Sequence, residues 1–225
     1  MYLTKMVINA RRRGARLLMA SPQALHAAVM AGFADGRPTG DGRVLWRLDV
    51  RHPHRVVLYT VSPDKPDFTH IIEQAGWPTT ETWETRCYDP LLESLRSGQQ
   101  WQFRLTANPV HSGLRAGWSD TKPLGHVTVK QQEHWLIQRS RNAGFRLLPC
   151  THAGSGDFDI AVVDRSIRRF HRKGGQVTIA TATFEGHLEV TDPEALRRAL
   201  THGIGRAKSY GCGLLTLARP LHGRL

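Results

Sequence analysis

The sequence has few cysteines. Its 225 residues include three, Cys87, Cys150 and Cys212, which lie far apart and form no C-x-x-C pair. This number and spacing disfavour both a disulfide framework and a cysteine zinc site, and they favour a reducing cytoplasm as the protein's location.

Long apolar runs are also missing. No segment approaches the roughly 18 consecutive apolar residues of a membrane-spanning helix, so we expect no membrane partner. Residues 1–34 hold five basic and no acidic side chains, as targeting segments do. However, Tyr2–Ile8 alternates like a strand and the basic run Arg11–Arg16 follows it. We therefore expect this stretch to belong to the folded protein, with Arg11–Arg16 as a basic loop.

Several catalytic motifs are absent. The chain has no H-E-x-x-H, P-loop or G-x-S-x-G, and no acidic cluster of the kind that holds metal in nucleases. His52 and His54 lie in a predicted turn without an evident third and fourth ligand. We expect neither a metal nor a cofactor.

Acidic residues are scarce relative to basic ones. Lys and Arg number 31 against 19 Asp and Glu, a formal net charge of +12, and the pI is near 10.5. Residues 101–225 hold 18 of the basic and nine of the acidic side chains. Such an excess predicts a polyanionic partner, usually nucleic acid, bound mainly by the second half. A basic protein without such a partner is the alternative.

Hydrophobic patterns predict the same order of elements twice. The first half reads as strand, helix, strand, strand, helix, strand, at 2–9, 21–33, 43–50, 55–61, 67–75 and 83–88. Ser21-Pro22 predicts the start of the first helix, with a hydroxyl cap and proline at the first helical position. The second half repeats it, with strands at 100–106, 145–150, 158–163, 176–190 and 214–218. Its two helices start at capping-box patterns, Thr128 with Gln131 and Thr191 with Glu194. This order is the ferredoxin-like unit. The sequence therefore predicts an α+β protein of two tandem ferredoxin-like (βαββαβ) domains, residues 1–95 and 96–225.

A basic arm precedes the dipeptide Gly174-Gly175, a hairpin turn signal. It contains no acidic residue and six basic or imidazole side chains: Arg165, Arg168, Arg169, His171, Arg172 and Lys173. Phosphates offset the mutual repulsion of such charges through counterion release. We expect the arm to lie along an RNA duplex, with Phe170 stacking on a base. The alternative is a solvated edge hairpin whose charge prevents aggregation.

A glycine-rich segment, Gly203–Leu215, separates the last predicted helix from the last strand. Its four glycines are interleaved with Arg206, Lys208 and Ser209. Backbone N–H groups of glycine approach anions closely, and Arg206 and Lys208 add positive charge. Gly203, Gly205 and the three interleaved polar side chains are therefore candidate RNA-backbone ligands. A purely structural helix-to-strand turn is the alternative.

His26 is the best catalytic candidate. It shares one apolar stripe with Val29, Met30 and Phe33, which would bury it. An equally good stripe of Leu25, Ala28, Val29 and Gly32 would leave it at the margin. An imidazole near a helix N-terminus meets phosphate readily and can move protons during RNA cleavage.

The chain resembles a known family from end to end: the RNA-processing endoribonucleases of the type I-E Cascade complex (CasE family, RAMP superfamily). The similar segments are Met1–Lys5, Leu25-His26, Phe103–Pro109, Glu133–Leu136, Phe184–Val190 and, most specific, Gly203–Leu215. Two positions depart from the family pattern. Gln23 stands where a tyrosine is common, and Arg206 stands where a proline is usual.

The resemblance implies a metal-independent endoribonuclease that binds the CRISPR repeat hairpin. It implies one cut at the base of the stem, leaving a 2′,3′-cyclic phosphate and a 5′-hydroxyl, and continued binding of the RNA within Cascade. It also implies that His26 is the catalytic histidine and that residues 168–173 occupy the place of the stem-binding hairpin.

Two alternatives stay open on the sequence. Gln23 leaves room for a non-catalytic subunit that only binds the hairpin RNA. A basic structural protein associated with ribosomes or DNA would show no preference for hairpins.

Overall fold

The computed structural model describes residues 1–52, 55–80, 82–113, 122–150, 158–172 and 175–220. Within this part the chain forms two compact units. Unit 1 comprises residues 1–94, 200–203 and 207–214, and unit 2 comprises 95–199, 204–206 and the chain from Leu215 onward. The predicted domains are each continuous in sequence, whereas these units are not, because the glycine-rich segment returns to unit 1.

Unit 1 contains a four-stranded antiparallel sheet. Its strands are β1 (Tyr2–Ile8), β2 (Leu45–His52), β3 (Arg55–Ser62) and β4 (Trp83–Cys87). They lie in the order β2-β3-β1-β4, which is the strand order of a ferredoxin-like unit, and every adjacent pair is antiparallel. The central strand β1 buries Met6 and Ile8.

Helices cover this sheet: α1 (Arg13–Ala20), α2 (Pro22–Met30) and α3 (Thr69–Ala75), with a short α4 (Asp89–Ser94) after β4. Leu25, Val29, Phe68 and Ile71 pack with Met6 in one core. The expectation of a loop throughout Arg11–Arg16 was wrong, because α1 starts at Arg13. The spacing of Ala15 and Leu18 buries one helical face, while the arginines at 13 and 16 stay exposed.

Unit 2 contains a second antiparallel sheet. Its strands are β5 (Gln100–Ala107), β8 (Phe145–Leu147), β9 (Ile160–Arg172), β10 (Gly175–Val190) and β11 (Leu215–Ala218). They lie in the order β11-β5-β10-β8, with β9 also paired to β10. Strands β8 and β9 pair with successive parts of β10, so together they fill the place of the second ferredoxin-like strand. A separate hairpin, β6 (Val110–Gly113) and β7 (Lys122–Gly125), lies in the predicted loop after β5.

The helices of unit 2 begin at polar caps. Helix α5 (Val129–Asn142) has the predicted capping box, in which Thr128 Oγ1 accepts from Gln131 N at 3.2 Å and the Gln131 side chain accepts from Thr128 N. Helix α6 (Pro193–His202) is capped by Asp192, which accepts from the backbone N of Glu194 and of Ala195. The prediction that Thr191 caps α6 was therefore wrong by one residue. A carboxylate accepts both free amides at once.

Both halves thus confirm the predicted ferredoxin-like fold. None of the helices in the described ranges is long and apolar enough to cross a membrane.

Candidate active site

His26 lies in the second turn of α2. This helix begins at Ser21, whose Oγ accepts from Ala24 N at 3.2 Å, and Pro22 occupies its first turn, as predicted. Leu25 and Val29 are buried, while the His26 side chain is half-buried. The second of the two alternative stripes is therefore the one that faces the core, and His26 lies at its margin.

Trp46 on β2 binds His26. Its indole Nε1–H donates to His26 Nδ1 at 3.3 Å, and the tryptophan itself is only 2 % exposed. An indole nitrogen can donate but not accept, so Nδ1 carries a lone pair in this arrangement. Gln23, at the position where a tyrosine is common in the family that the chain resembles, is exposed.

The glycine-rich segment needs its glycines for backbone reasons. Gly203, Gly205, Gly211 and Gly213 all have positive φ, between 77° and 91°, a region that residues with a Cβ adopt only at a cost. At Gly211 a Cβ would also lie 2.7 Å from the Trp46 ring. The structural alternative for these glycines is thus supported by geometry, and an RNA contact by Gly203 or Gly205 stays a prediction.

A 3₁₀ turn, Lys208–Tyr210, contacts α2 and β2 within unit 1. It brings the positive charge of Lys208 near these two elements. Lys208 is half-buried there. Burial lowers the pKa of Lys208, and the nearby positive charge of Arg43 lowers it further. An anion bound here would relieve both effects, since it would stabilise the ammonium group. Lys208 and the half-buried Ser209 therefore share the surroundings of the His26 helix.

A buried ion pair holds the end of the glycine-rich segment. The Arg47 guanidinium donates to both carboxylate oxygens of Asp49, at 2.7 and 3.0 Å, and to the carbonyl of Leu214 at 3.0 Å. Both charged side chains are at most 2 % exposed. Val50, on the same face of β2 as Trp46, is 59 % exposed. Sequence reasoning missed this pair because an arginine and an aspartate in a strand usually face solvent.

The described part of the basic arm belongs to strand β9. It pairs with β10 as a hairpin, with Arg172 opposite Gly175. Arg165 and Arg169 are exposed, and Arg168, on the other face, is half-buried. The side chains of His171 and Arg172, as well as Lys173 and Gly174, lie outside the described residues. Phe170 is 9 % exposed, which leaves little of its ring accessible, and its stacking on a base stays a prediction.

Unit 2 also contains a basic cleft that sequence reasoning missed. It has a volume of about 110 Å³, and its lining includes Arg139, Arg206, His111, Asn108 and Trp135. Arg139 lies 6.0 Å from the centre of the Trp135 ring, a cation–π distance. The spacing of Trp135 and Arg139 on α5, four residues apart, could have indicated that they share one helix face.

The predicted residues fall into two groups. Unit 1 brings together His26, Lys208 and Ser209, while unit 2 holds Gly205, Arg206 and the arginines of β9. In the described part of the chain, no three His, Cys, Asp or Glu side chains are grouped as metal ligands. His54 lies outside that part.

The protein is a tandem ferredoxin-like protein whose features suit RNA. These features are a half-buried histidine on a capped helix and a basic hairpin. Comparison with known proteins supports this class. A family model described as CRISPR associated protein matches residues 1–219. The chain belongs to this family of CRISPR-associated proteins, and the resemblance seen in its motifs is confirmed.

Three relatives illustrate the likeness. The chain is 30 % identical over 226 residues to the CRISPR-associated endoribonuclease Cse3 of Thermus thermophilus, covering 97 % of this chain and 100 % of that protein. It is 30 % identical over 180 residues to the Cascade subunit CasE of Escherichia coli, covering 77 % and 88 % respectively. A solved structure of endoribonuclease Cse3 bound to 19 nt RNA matches with a TM-score of 0.80 at 30 % identity, covering 97 % and 100 %.

Proposed function

We propose that the chain processes CRISPR precursor RNA by cutting once at the base of the repeat hairpin. The observation that carries this is the family match over residues 1–219, with a full-length relative named as an endoribonuclease. The chain is thus an RNA-processing endoribonuclease of its family. The position of the cut and the residues that perform it are our proposal.

In the proposed reaction the RNA supplies its own nucleophile. The 2′-oxygen bonds to the adjacent phosphorus, the bond from phosphorus to the 5′-oxygen breaks, and the 2′-hydroxyl proton is lost while the 5′-oxygen gains one. The products are a 2′,3′-cyclic phosphate and a 5′-hydroxyl. His26 acts at the reacting phosphate, where an imidazole moves a proton or donates a hydrogen bond to the developing charge. Positive charge at Lys208 adds to that stabilisation. None of these steps requires a metal.

The RNA is held mainly by unit 2. Arg165 and Arg169 present exposed guanidinium groups on one face of the β9–β10 hairpin, which suits the phosphates of a stem. Arg168, Arg172, Lys173 and Ser209 are further proposed contacts. Arg206 and Arg139 form no ion pair among the described residues, and their cleft offers a second place for backbone phosphate.

The proposed partners follow from the family. One relative is named as a Cascade subunit, and we propose that this chain also remains on its product RNA as a subunit of such a complex. Its RNA substrate and its dispersed cysteines support a cytoplasmic location.

Cleavage of a labelled repeat hairpin in EDTA tests the proposal. The wild-type protein should give one discrete cut, and His26→Ala should abolish cutting while the hairpin still binds. The matched control is His134→Ala, an exposed histidine on α5, which should cut at the wild-type rate.

Each other outcome has a definite meaning. Full activity of His26→Ala would remove His26 from the mechanism. Binding without any cut by the wild-type protein would establish the non-catalytic RNA-binding subunit, the alternative suggested by Gln23. Equal affinity for hairpin and unrelated RNA would favour a basic structural protein.

A further inference from the structure

We infer that Trp46 is the positioning residue of His26 and holds the imidazole in the tautomer whose proton is on Nε2. The contact that indicates this is the 3.3 Å hydrogen bond from Trp46 Nε1–H to His26 Nδ1. Because the indole can only donate, it selects a lone pair on Nδ1. The remaining ring proton then belongs to Nε2. The inference rests on the proposed function, in which His26 acts at the reacting phosphate.

Trp46 is itself held in place. It is 2 % exposed, and its backbone pairs with Thr60 of the neighbouring strand β3. The six-membered ring of the indole lies so close to Gly211 that a Cβ added at that glycine would be 2.7 Å from it. Burial and the close approach of Gly211 restrict the rotation that would turn the indole N–H away from His26. The glycine-rich segment acts on the catalytic histidine through this ring.

The opposite tautomer is disfavoured by the same geometry. A proton on Nδ1 would face the indole N–H, so two donors would meet and a buried donor would be left without its acceptor. Unsatisfied buried donors of this kind shift an equilibrium by about fivefold or more. The neutral ring is therefore held largely in the Nε2–H form.

This tautomer decides what His26 offers to RNA. Its Nε2 presents a hydrogen-bond donor to the leaving 5′-oxygen or to a phosphate oxygen, where negative charge develops. To accept the 2′-hydroxyl proton, Nε2 would need a lone pair, which requires the disfavoured Nδ1–H form. Delivering the Nε2 proton outright would require the imidazolium, whose Nδ1–H would also meet the indole N–H. Trp46 thereby selects a hydrogen-bond donor role for the neutral His26 ring, which stabilises developing negative charge, over the general-base role.

The first test uses the unmodified full-length protein. Long-range ¹H–¹⁵N correlation of a ¹⁵N-histidine-labelled sample, at a pH where the ring is neutral, identifies the nitrogen that carries the proton. His26→Ala assigns the signal. We expect a protonated, pyrrole-type Nε2 and an unprotonated, pyridine-type Nδ1. A pyrrole-type Nδ1, or equal populations of the two tautomers, would overturn the inference.

The second test removes the donor. Trp46→Phe should slow single-turnover cleavage roughly two- to tenfold, the effect of one neutral hydrogen bond, while the Kd for the hairpin stays unchanged. It should also allow the second tautomer to appear. The matched control is Trp101→Phe, which removes a buried indole N–H that has no hydrogen-bond partner among the described residues, and it should change neither the rate nor the His26 signals.

The two hypotheses fail separately. If the wild-type protein binds but never cuts, the proposed function is wrong, whereas the tautomer is still measured. If His26→Ala abolishes cutting and Trp46→Phe changes neither rate nor tautomer, the function stands and the role of Trp46 is refuted. Should Trp46→Phe fail to fold, the wild-type spectrum alone decides.

Discussion

At the scale of single residues, Trp46 joins two segments that lie far apart in the sequence. Its N–H donates a hydrogen bond to His26, and its ring lies close to the backbone of Gly211. The first interaction is polar and sets the state of the imidazole, while the second is steric and sets the position of the ring. A change at Gly211 should therefore affect both stability and cleavage.

We predict that Gly211→Ala destabilises the protein by about 1–3 kcal/mol, the range for a strained residue at positive φ. The φ of Gly211 is 81°, and the new methyl group would displace Trp46. Urea unfolding gives the free energy, and the hairpin assay gives the rate, which should also fall.

Gly40→Ala is the control for this substitution. Gly40 is exposed, and a Cβ there would meet no atom of the described residues within 4 Å, so its stability should stay within about 0.5 kcal/mol of wild type. If Gly211→Ala behaved like this control, the close approach of Trp46 would be refuted.

At the scale of elements, the β9–β10 hairpin extends the sheet of unit 2 with one face that is both basic and apolar. Arg165 and Arg169 alternate with Val163 and Ile167, and all four are exposed. An edge strand with arginines resists aggregation, and the same arginines suit a polyanion. Only binding measurements distinguish the two.

We predict that the double substitution Arg165→Ala and Arg169→Ala weakens hairpin binding and lowers its salt dependence. Each phosphate that the protein no longer neutralises reduces the slope of log K against log salt by about 0.9 for a duplex, hence by roughly 2 for both arginines. Fluorescence anisotropy over a range of salt concentrations measures the slope.

Arg197→Ala is the matched control, because Arg197 already pairs with Glu194 at 2.8 Å on α6. It should leave the slope unchanged. An unchanged slope in the double variant would instead show that these arginines do not contact phosphate and that β9 is a solvent-exposed edge strand.

At the scale of the whole molecule, the chain crosses between the two units more than once. Residues 204–206 belong to unit 2, and 207–214 belong to unit 1. The end of this crossing is held by the buried pair of Arg47 and Asp49, through the carbonyl of Leu214. Breaking one partner of a buried ion pair leaves the other charge uncompensated.

We therefore predict that Asp49→Asn lowers the free energy of unfolding by about 3–5 kcal/mol. Tryptophan fluorescence during urea unfolding measures this decrease. The control is Asp64→Asn, at an exposed position, which should leave the midpoint unchanged. A decrease of less than about 1 kcal/mol for Asp49→Asn would show that solvent reaches Arg47.

Much of the fold could be predicted from the sequence, because it depends on local patterns. The capping box at Thr128, the serine and proline that open α2 and the alternation of β1 are all short-range signals, and the structure has them. The start of α1 and the cap of α6 were missed at such boundaries. The run of arginines favoured a loop where α1 begins, and Thr191 resembled the cap that the neighbouring Asp192 provides.

The candidate site could be predicted only in part. The motifs indicated His26 and the glycine-rich segment, and their roles toward RNA stay predictions. Arg139 and the Arg47–Asp49 pair were missed, since their importance lies in what they contact across the fold.

The sequence by itself thus determined the family, the two ferredoxin-like units and the basic character of the molecule. Periodicity, caps, glycines and charge act over a few residues and can be read directly. Only the tertiary structure decided that His26 faces Trp46 and that Gly211 approaches the same ring. Those contacts join residues distant in the chain, and they exist only once the sheet and the returning segment have packed together.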